Sequence, residues 1–227
     1  MSSKPFSKRF RTLGRATALA IALATPVATA SAQTPETEQP TQVAFAELPE
    51  QERTALEEGQ VMLSASRSGE KGQFVARVLI EATPDEAWAV LTDYDNFEQF
   101  LPNVENSQLL ESEDSRRVFE QLNVISVVPS VVEIRSRVVI ESTESPVEEV
   151  AFQLVEGDLE LLEGVWQLSP VATVEGEAPD KVLITHQVDI DPGDSSPRGL
   201  FFSTYRLVLE DSLMAAKAEA ERRASEE

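Results

Sequence analysis

For about ninety residues after Pro102 the chain offers only strand-like runs, and one long helical pattern follows them. The clearest run is Val131 to Glu141, where Val132, Ile134, Ser136, Val138 and Ile140 face one way and Glu133, Arg135, Arg137 and Glu141 the other. Such alternation marks a half-solvated antiparallel strand, because successive side chains point to opposite faces of a sheet. Val150, Phe152 and Leu154 repeat the pattern, as do Val182, Ile184, His186, Val188 and Ile190. Phe119 to Val128 reads as a strand of ambiguous phase, and Gly164 inside Leu161 to Leu168 predicts a bulge or sharp bend. From Leu200 to about Ala220 the period changes. Phe201, Tyr205, Val208, Leu209, Ser212, Leu213 and Ala216 then share one helical face, with a frayed acidic tail over 221–227.

What precedes the strands is as informative. A run from Phe74 to Ile80 leads into "EATPDEAWAVLTDYDNFEQFLPNV", Glu81 to Val104. Thr83-Pro84-Asp85-Glu86 is a capping box with proline at the first helical position. Ala87, Trp88, Val90 and Leu91 form the buried stripe of that helix. Asp93 and Asp95 start a second short helix carrying Tyr94, Phe97 and Leu101, and Pro102 stops it. The order is strand, two short helices, about six antiparallel strands and one long helix, an α+β arrangement. A sheet curling around one amphipathic helix leaves a space between them, and the helix pair is placed to close one end.

The segment "EATPDEAWAVLTDYDNFEQFLPNVENSQLLES", with "FQLVEGDLELLEGVWQLSP" downstream and the long terminal helix, resembles the START-like helix-grip superfamily. Within it the chain is most similar to the polyketide cyclase/dehydrase and coenzyme-Q-binding (SRPBCC-type) branch, over residues 72–220. Alanine-threonine-proline at the strand end, Trp88, the Asp93-Tyr94 turn, Phe100-Leu101-Pro102 and Leu162-Glu163-Gly164 before Trp166 carry the likeness. The resemblance implies a curved antiparallel sheet of about seven strands gripping the terminal helix around an elongated apolar cavity. It also implies a lipid, isoprenoid quinone, sterol or polyketide guest, with cyclisation or dehydration in a minority of members. The branch has no universal catalytic motif, so no catalytic residue carries over.

Composition narrows the function further. Forty acidic against 19 basic residues give a net charge of −21, which repels phosphate backbones and anionic membranes. There is no cysteine and only one histidine, so disulfides, thiolate sites and multi-histidine metal centres are excluded. Nothing in the sequence calls for a cofactor or metal. Lys4, Lys8, Arg9, Arg11 and Arg15 precede the apolar "ATALAIALATPVA", and Ala30-Ser31-Ala32 supplies a small-residue cleavage site. Residues 1–32 therefore read as an export signal too short for a membrane anchor, with an organelle transit peptide as the alternative. Removing those five basic residues takes the net charge to −26. Residues 33–43 read as a disordered linker, and 44–71 as a preface helix with Leu56, Val61 and Met62 on its apolar stripe, followed by a loop over Ser64 to Gly72.

The cavity candidates are Trp88, Tyr94, Phe97, Phe100, Leu101, Phe152, Leu154, Trp166, His186, Phe201 and Tyr205. Each has a plainer reading as core, since pockets and cores draw on the same residue types. His186 is the one residue with acid/base chemistry in reach. Its phase puts it on an apolar face, where a desolvated imidazole stays neutral and wants a partner; Ser203, Thr204 or Ser212 are placed to approach it. Arg135 and Arg137 should pair with neighbouring glutamates on the outer face. The expectation is an exported binding protein for a hydrophobic small molecule, its protein partner open. The alternatives are an aromatase/cyclase-type enzyme and an interaction module whose cavity is filled. A void below roughly 300 Å³ would be small for a ligand.

Overall fold

The computed structural model describes residues 43–128, 132–174, 176–195 and 197–226; the expected leader and the linker up to residue 42 lie outside them. In chain order the elements are α1 (Glu50–Glu57), β1 (Met62–Ser68), β2 (Lys71–Ile80), α2 (Pro84–Leu91), α3 (Phe97–Phe100), β3 (Val104–Glu113), β4 (Arg116–Val128), β5 (Val132–Ser145), β6 (Glu149–Gly157), β7 (Leu161–Val171), β8 (Lys181–Asp191) and α4 (Arg198–Ala224).

The strands form one antiparallel sheet in the order β1-β2-β8-β7-β6-β5-β4-β3. Strands β3 to β8 are a chain of hairpins, and β8 turns back to pair with β2. The helix pair α2–α3 is therefore a crossing: it carries the chain from β2 to the far edge, where β3 begins. Register shifts in the β3–β4, β4–β5 and β5–β6 pairs mark bulges, which add twist and bend to a sheet that has to wrap a helix. This is the helix grip, with α4 lying against one face.

Local chemistry sets the helix boundaries. Thr83 Oγ1 accepts the Glu86 amide at 3.4 Å while Glu86 Oε2 accepts the Thr83 amide at 2.6 Å, so both halves of the capping box are made. Helix α3 and the 3-10 turn before it are pinned to β3: Asp95 Oδ1 accepts from the Leu109 amide at 2.7 Å and Glu98 Oε2 from the Ser107 amide at 3.1 Å. Alternation decides which side chains meet α4. Phe74, Ala76, Val78 and Ile80 of β2 are buried on the inner side, with Leu209, Leu213, Ala216 and Ala220 of α4 in the same core. The outer face has its own smaller cluster, in which Leu48 and Leu56 cover Leu79 and Leu183. The expected glutamate partners of the outward arginines are Glu105 for Arg135, and Glu120 and Glu156 for Arg137.

Four expectations are corrected. The sheet has eight strands, because Ser64–Ser68 is not loop but most of β1, paired with β2 across a two-residue turn at Gly69 (φ 64°). "SASRS" hides this strand: at a sheet edge its side chains are exposed, and hydrogen bonds rather than burial hold it. Helix α1 stops at Glu57, with Gly59 at φ 82°, so Val61 and Met62 are not on its stripe. Gly164 marks no bulge, since β7 stays in register with β8 through it. The tail does not fray from residue 221, because α4 runs to Ala224 with Ala220 fully buried.

The last turns of α4 are held by polar contacts the sequence does not advertise. Lys217 Nζ donates to the Leu79 carbonyl at 2.8 Å, and Glu221 accepts from the Glu81 amide at 2.8 Å. Arg223 bridges Asp93 at 2.8 Å and Glu219 at 2.7 Å, tying α4 to the start of the second short helix.

Candidate functional site

Between the sheet and α4 lies a partly enclosed cavity of about 230 Å³. It falls below the roughly 300 Å³ at the small end of ligand pockets. It is nonetheless larger than the engineered void of about 150 Å³ that holds benzene. The zone is therefore not filled by its own side chains.

Three groups of elements build it. Val90, Leu91, Tyr94, Phe97, Phe100 and Leu101 form an end wall from α2, α3 and the turn between them. The inward faces of β4 to β8 form the floor, with Phe119, Val138, Ile140, Phe152, Trp166 and His186 among the side chains. The roof is α4, through Phe201, Tyr205, Val208, Leu209, Ser212 and Ala216. Trp88 and Leu154 do not line the hollow. Both are half-buried and pack against the core, so for them the plainer reading holds.

Aromatic contacts fix the walls. Tyr94 stacks on Phe119 at 4.6 Å between ring centroids, and Phe97 meets both rings edge-on. Phe201 and Tyr205 stack at 5.9 Å. On the floor His186 lies between Trp166 at 3.8 Å and Phe152 at 5.5 Å, with interplanar angles of 24° and 20°. Gly164 makes this sandwich possible. A Cβ there would sit 2.1 Å from the Gln187 carbonyl oxygen and 2.7 Å from the Phe152 ring. The glycine thus serves close approach, not a bend.

Electrostatically the site is quiet. Burial pushes His186 down to about 3, against a weaker opposite pull from hydrogen bonding to the Val165 backbone, so the imidazole is neutral. Its Nδ1 is buried without a partner, and none of Ser203, Thr204 and Ser212 bonds to it; Ser203 donates instead to the Leu200 carbonyl. Burial also raises Tyr94 and Tyr205, keeping both hydroxyls protonated. Tyr94 Oη donates to Glu144 at 2.9 Å and accepts from Ser142 Oγ at 3.1 Å, while Arg117 neutralises Glu144 at 3.1 Å. The polar side chains that pattern reading missed are Gln121, Asn123, Ser136 and Ser142. Ser136 was legible as inward through the alternation of β5. Gln121 and Asn123 were not, because β4 has apolar residues on both faces.

Comparison with known proteins agrees with this geometry. No curated protein matches the chain significantly. Among solved structures it is similar to the STAR-related lipid transfer protein from Xanthomonas axonopodis, at 21% identity and a TM-score of 0.57, over 70% of this chain and 93% of that one. It is similar to the Zhui aromatase/cyclase from Streptomyces sp. R1128, at 18% identity and a TM-score of 0.55, over 67% and 95% of the two chains. A START superfamily protein from Mycobacterium smegmatis aligns at 13% identity and a TM-score of 0.51, over 68% and 97%. At these identities the likeness is one of fold. The family described as polyketide cyclase/dehydrase and lipid transport matches residues 80–216, more than half of the chain. With its end wall, floor and roof all inside that match, the chain belongs to the polyketide cyclase/dehydrase and lipid transport family.

Proposed function

We propose that this protein binds and carries a hydrophobic small molecule in the cavity between the sheet and α4. The observation that carries the reading is the hollow itself, about 230 Å³, walled by aromatic and aliphatic side chains from all three groups of elements. Removing a guest's apolar area from water contributes about 25 cal/mol per Å² before association costs. The kinds of molecule this supports are those named in its family's description, lipids and polyketides. At this volume a compact guest fits the resting cavity, and a longer one needs Phe100, Leu101 or Phe201, all half-buried, to swing aside. Native mass spectrometry with solvent extraction tests the reading. A co-purifying guest supports it, and repeatedly empty preparations that also refuse added hydrophobic ligands overturn it.

A cyclase reading is the second, since one structural relative is an aromatase/cyclase. It fares less well here. General acid–base work is most efficient with a group titrating near the working pH, and His186 sits near 3 with no carboxylate to orient it. Turnover of a polyketide by the purified protein would reverse this preference.

We place the protein outside the cytoplasm, on the basic, apolar and small-residue segments of 1–32. An intact mass beginning at Gln33 in an exported fraction supports this, and retention of the leader in cytosol argues against it. No helix among the described residues is long and apolar enough to cross a membrane.

A further inference from the structure

The cavity's polar groups are few: His186 on β8 and Tyr205 and Ser212 on α4 lie apart on its wall, and three others adjoin one another on β4 and β5. Along β4 the inward side chains run Phe119, Gln121, Asn123, Ile125, an apolar–polar–polar–apolar sequence. Asn123 pairs across the strands with Ser136 of β5, and Gln121 with Val138, so the three polar side chains form one contiguous patch. None of them is engaged by the protein. Gln121 and Asn123 make no side-chain hydrogen bond among the described residues, and Ser136 Oγ is buried with no partner at all. Unpaired polar groups inside a fold cost stability, and native interiors leave few of them. Ser136 Oγ is one of these, and beside it the half-buried amides of Gln121 and Asn123 line the same space. Tyr94 and Ser142, by contrast, are closed into the network with Glu144 and Arg117.

Among the described residues the lining contains no Asp, Glu, Lys or Arg. Its one histidine is neutral, and the nearby Glu144 is already paired. A charged guest would leave water and meet no counter-charge, whereas a neutral guest would lose little.

We propose that the cavity selects uncharged guests bearing a hydroxyl or carbonyl group, and that this group docks on the Gln121–Asn123–Ser136 patch while the apolar remainder lies against the Trp166 and Phe201 walls. The inference rests on the cavity being a ligand site and adds to it a chemical class: neutral ring alcohols, phenols and ketones rather than carboxylates or ammonium compounds. The amides supply both donors and acceptors, so the patch serves either oxygen function.

The test uses three probes of one shape, naphthalene, naphthol and naphthoate, titrated into the full chain at neutral pH with fluorescence and calorimetry as readouts. Naphthol should bind about tenfold tighter than naphthalene, the effect of one or two hydrogen bonds to otherwise unpaired groups. Naphthoate should bind roughly a hundredfold or more weaker than naphthol. Ser136→Ala should reduce the naphthol preference several-fold while leaving the unfolding transition in place or raising it, because it removes an orphaned buried hydroxyl. That pairing of results separates docking from a structural role. Asn123→Leu is the second variant, expected to bring naphthol down to naphthalene's affinity. Naphthoate binding as well as naphthol, or an unchanged preference in both variants, overturns the selectivity while the ligand cavity stands. If none of the three probes binds, the cavity reading and this inference fall together.

Discussion

The two halves of α4 pack against the same sheet with opposite outcomes. The C-terminal half carries Leu213, Ala216 and Ala220, and Leu213 and Ala220 are fully buried. Lys217, Glu221 and Arg223 fasten this end to the Leu79 carbonyl, the Glu81 amide and Asp93. The N-terminal half carries Phe201, Phe202 and Tyr205, of which Phe202 and Tyr205 prop against Phe74 with ring centroids 6.3 and 5.1 Å apart. The hollow opens beneath Phe201 and Tyr205 and continues along the roof as far as Ser212 and Ala216. The helix roofs the hollow from Phe201 to Ala216, and the turns beyond hold it in place.

Substitutions should divide along that line. Leu213→Ala, in the closed half, should produce the largest loss, about 3–5 kcal/mol by urea unfolding, as for other leucines deleted from filled cores. Phe201→Ala removes a half-buried ring over the hollow and should cost about 1 kcal/mol, since it gives up only part of its burial, while altering guest affinity strongly. Equal losses at the two positions would break the contrast.

His186 sharpens it through pH. An imidazole near 6.5 when unfolded and near 3 when folded takes up its proton only on unfolding in that interval. Stability should therefore be level above about pH 6.5 and decline as pH falls towards 3. His186→Gln should remove that part of the decline, and if it leaves both the pH profile and guest binding unchanged, the residue is inert packing. The smallest effect should come from Glu219→Gln at the fastened end. Arg222, with Arg223 helping, holds the Glu219 carboxyl at about 2, below its ordinary 4.5. Its contribution is present above pH 4.5 and lost as pH falls towards 2. At neutral pH the variant should cost about 1 kcal/mol or less, reduced further by added salt.

Much of the fold is legible in residue order. The capping box at Thr83–Glu86, the alternation of β5 and the apolar face of α4 each state their geometry, because each depends on near neighbours in the chain. The misses share a cause. Strand β1 is defined by its hydrogen bonds to β2, and the order of Lys217, Glu221 and Arg223 by partners more than a hundred residues away. For the site, Tyr94, Phe97, Phe100, Leu101, Phe152, Trp166, His186, Phe201 and Tyr205 converge on one hollow, while Trp88 and Leu154 pack half-buried against the core beside it. No periodicity separates those two groups, since an apolar side chain faces inward by the same rule whether it meets a neighbour or a void.

By itself the sequence determined an acidic α+β chain whose one histidine would be buried and whose strands would surround its last helix, because period and composition act locally. Only the tertiary structure decided that the helix roofs a hollow from Phe201 to Ala216 and is fastened by Lys217, Glu221 and Arg223 beyond it, and that Gln121, Asn123 and Ser136 share a patch. Those outcomes depend on register across strands and on which ring meets which wall, and both are set when distant segments pack.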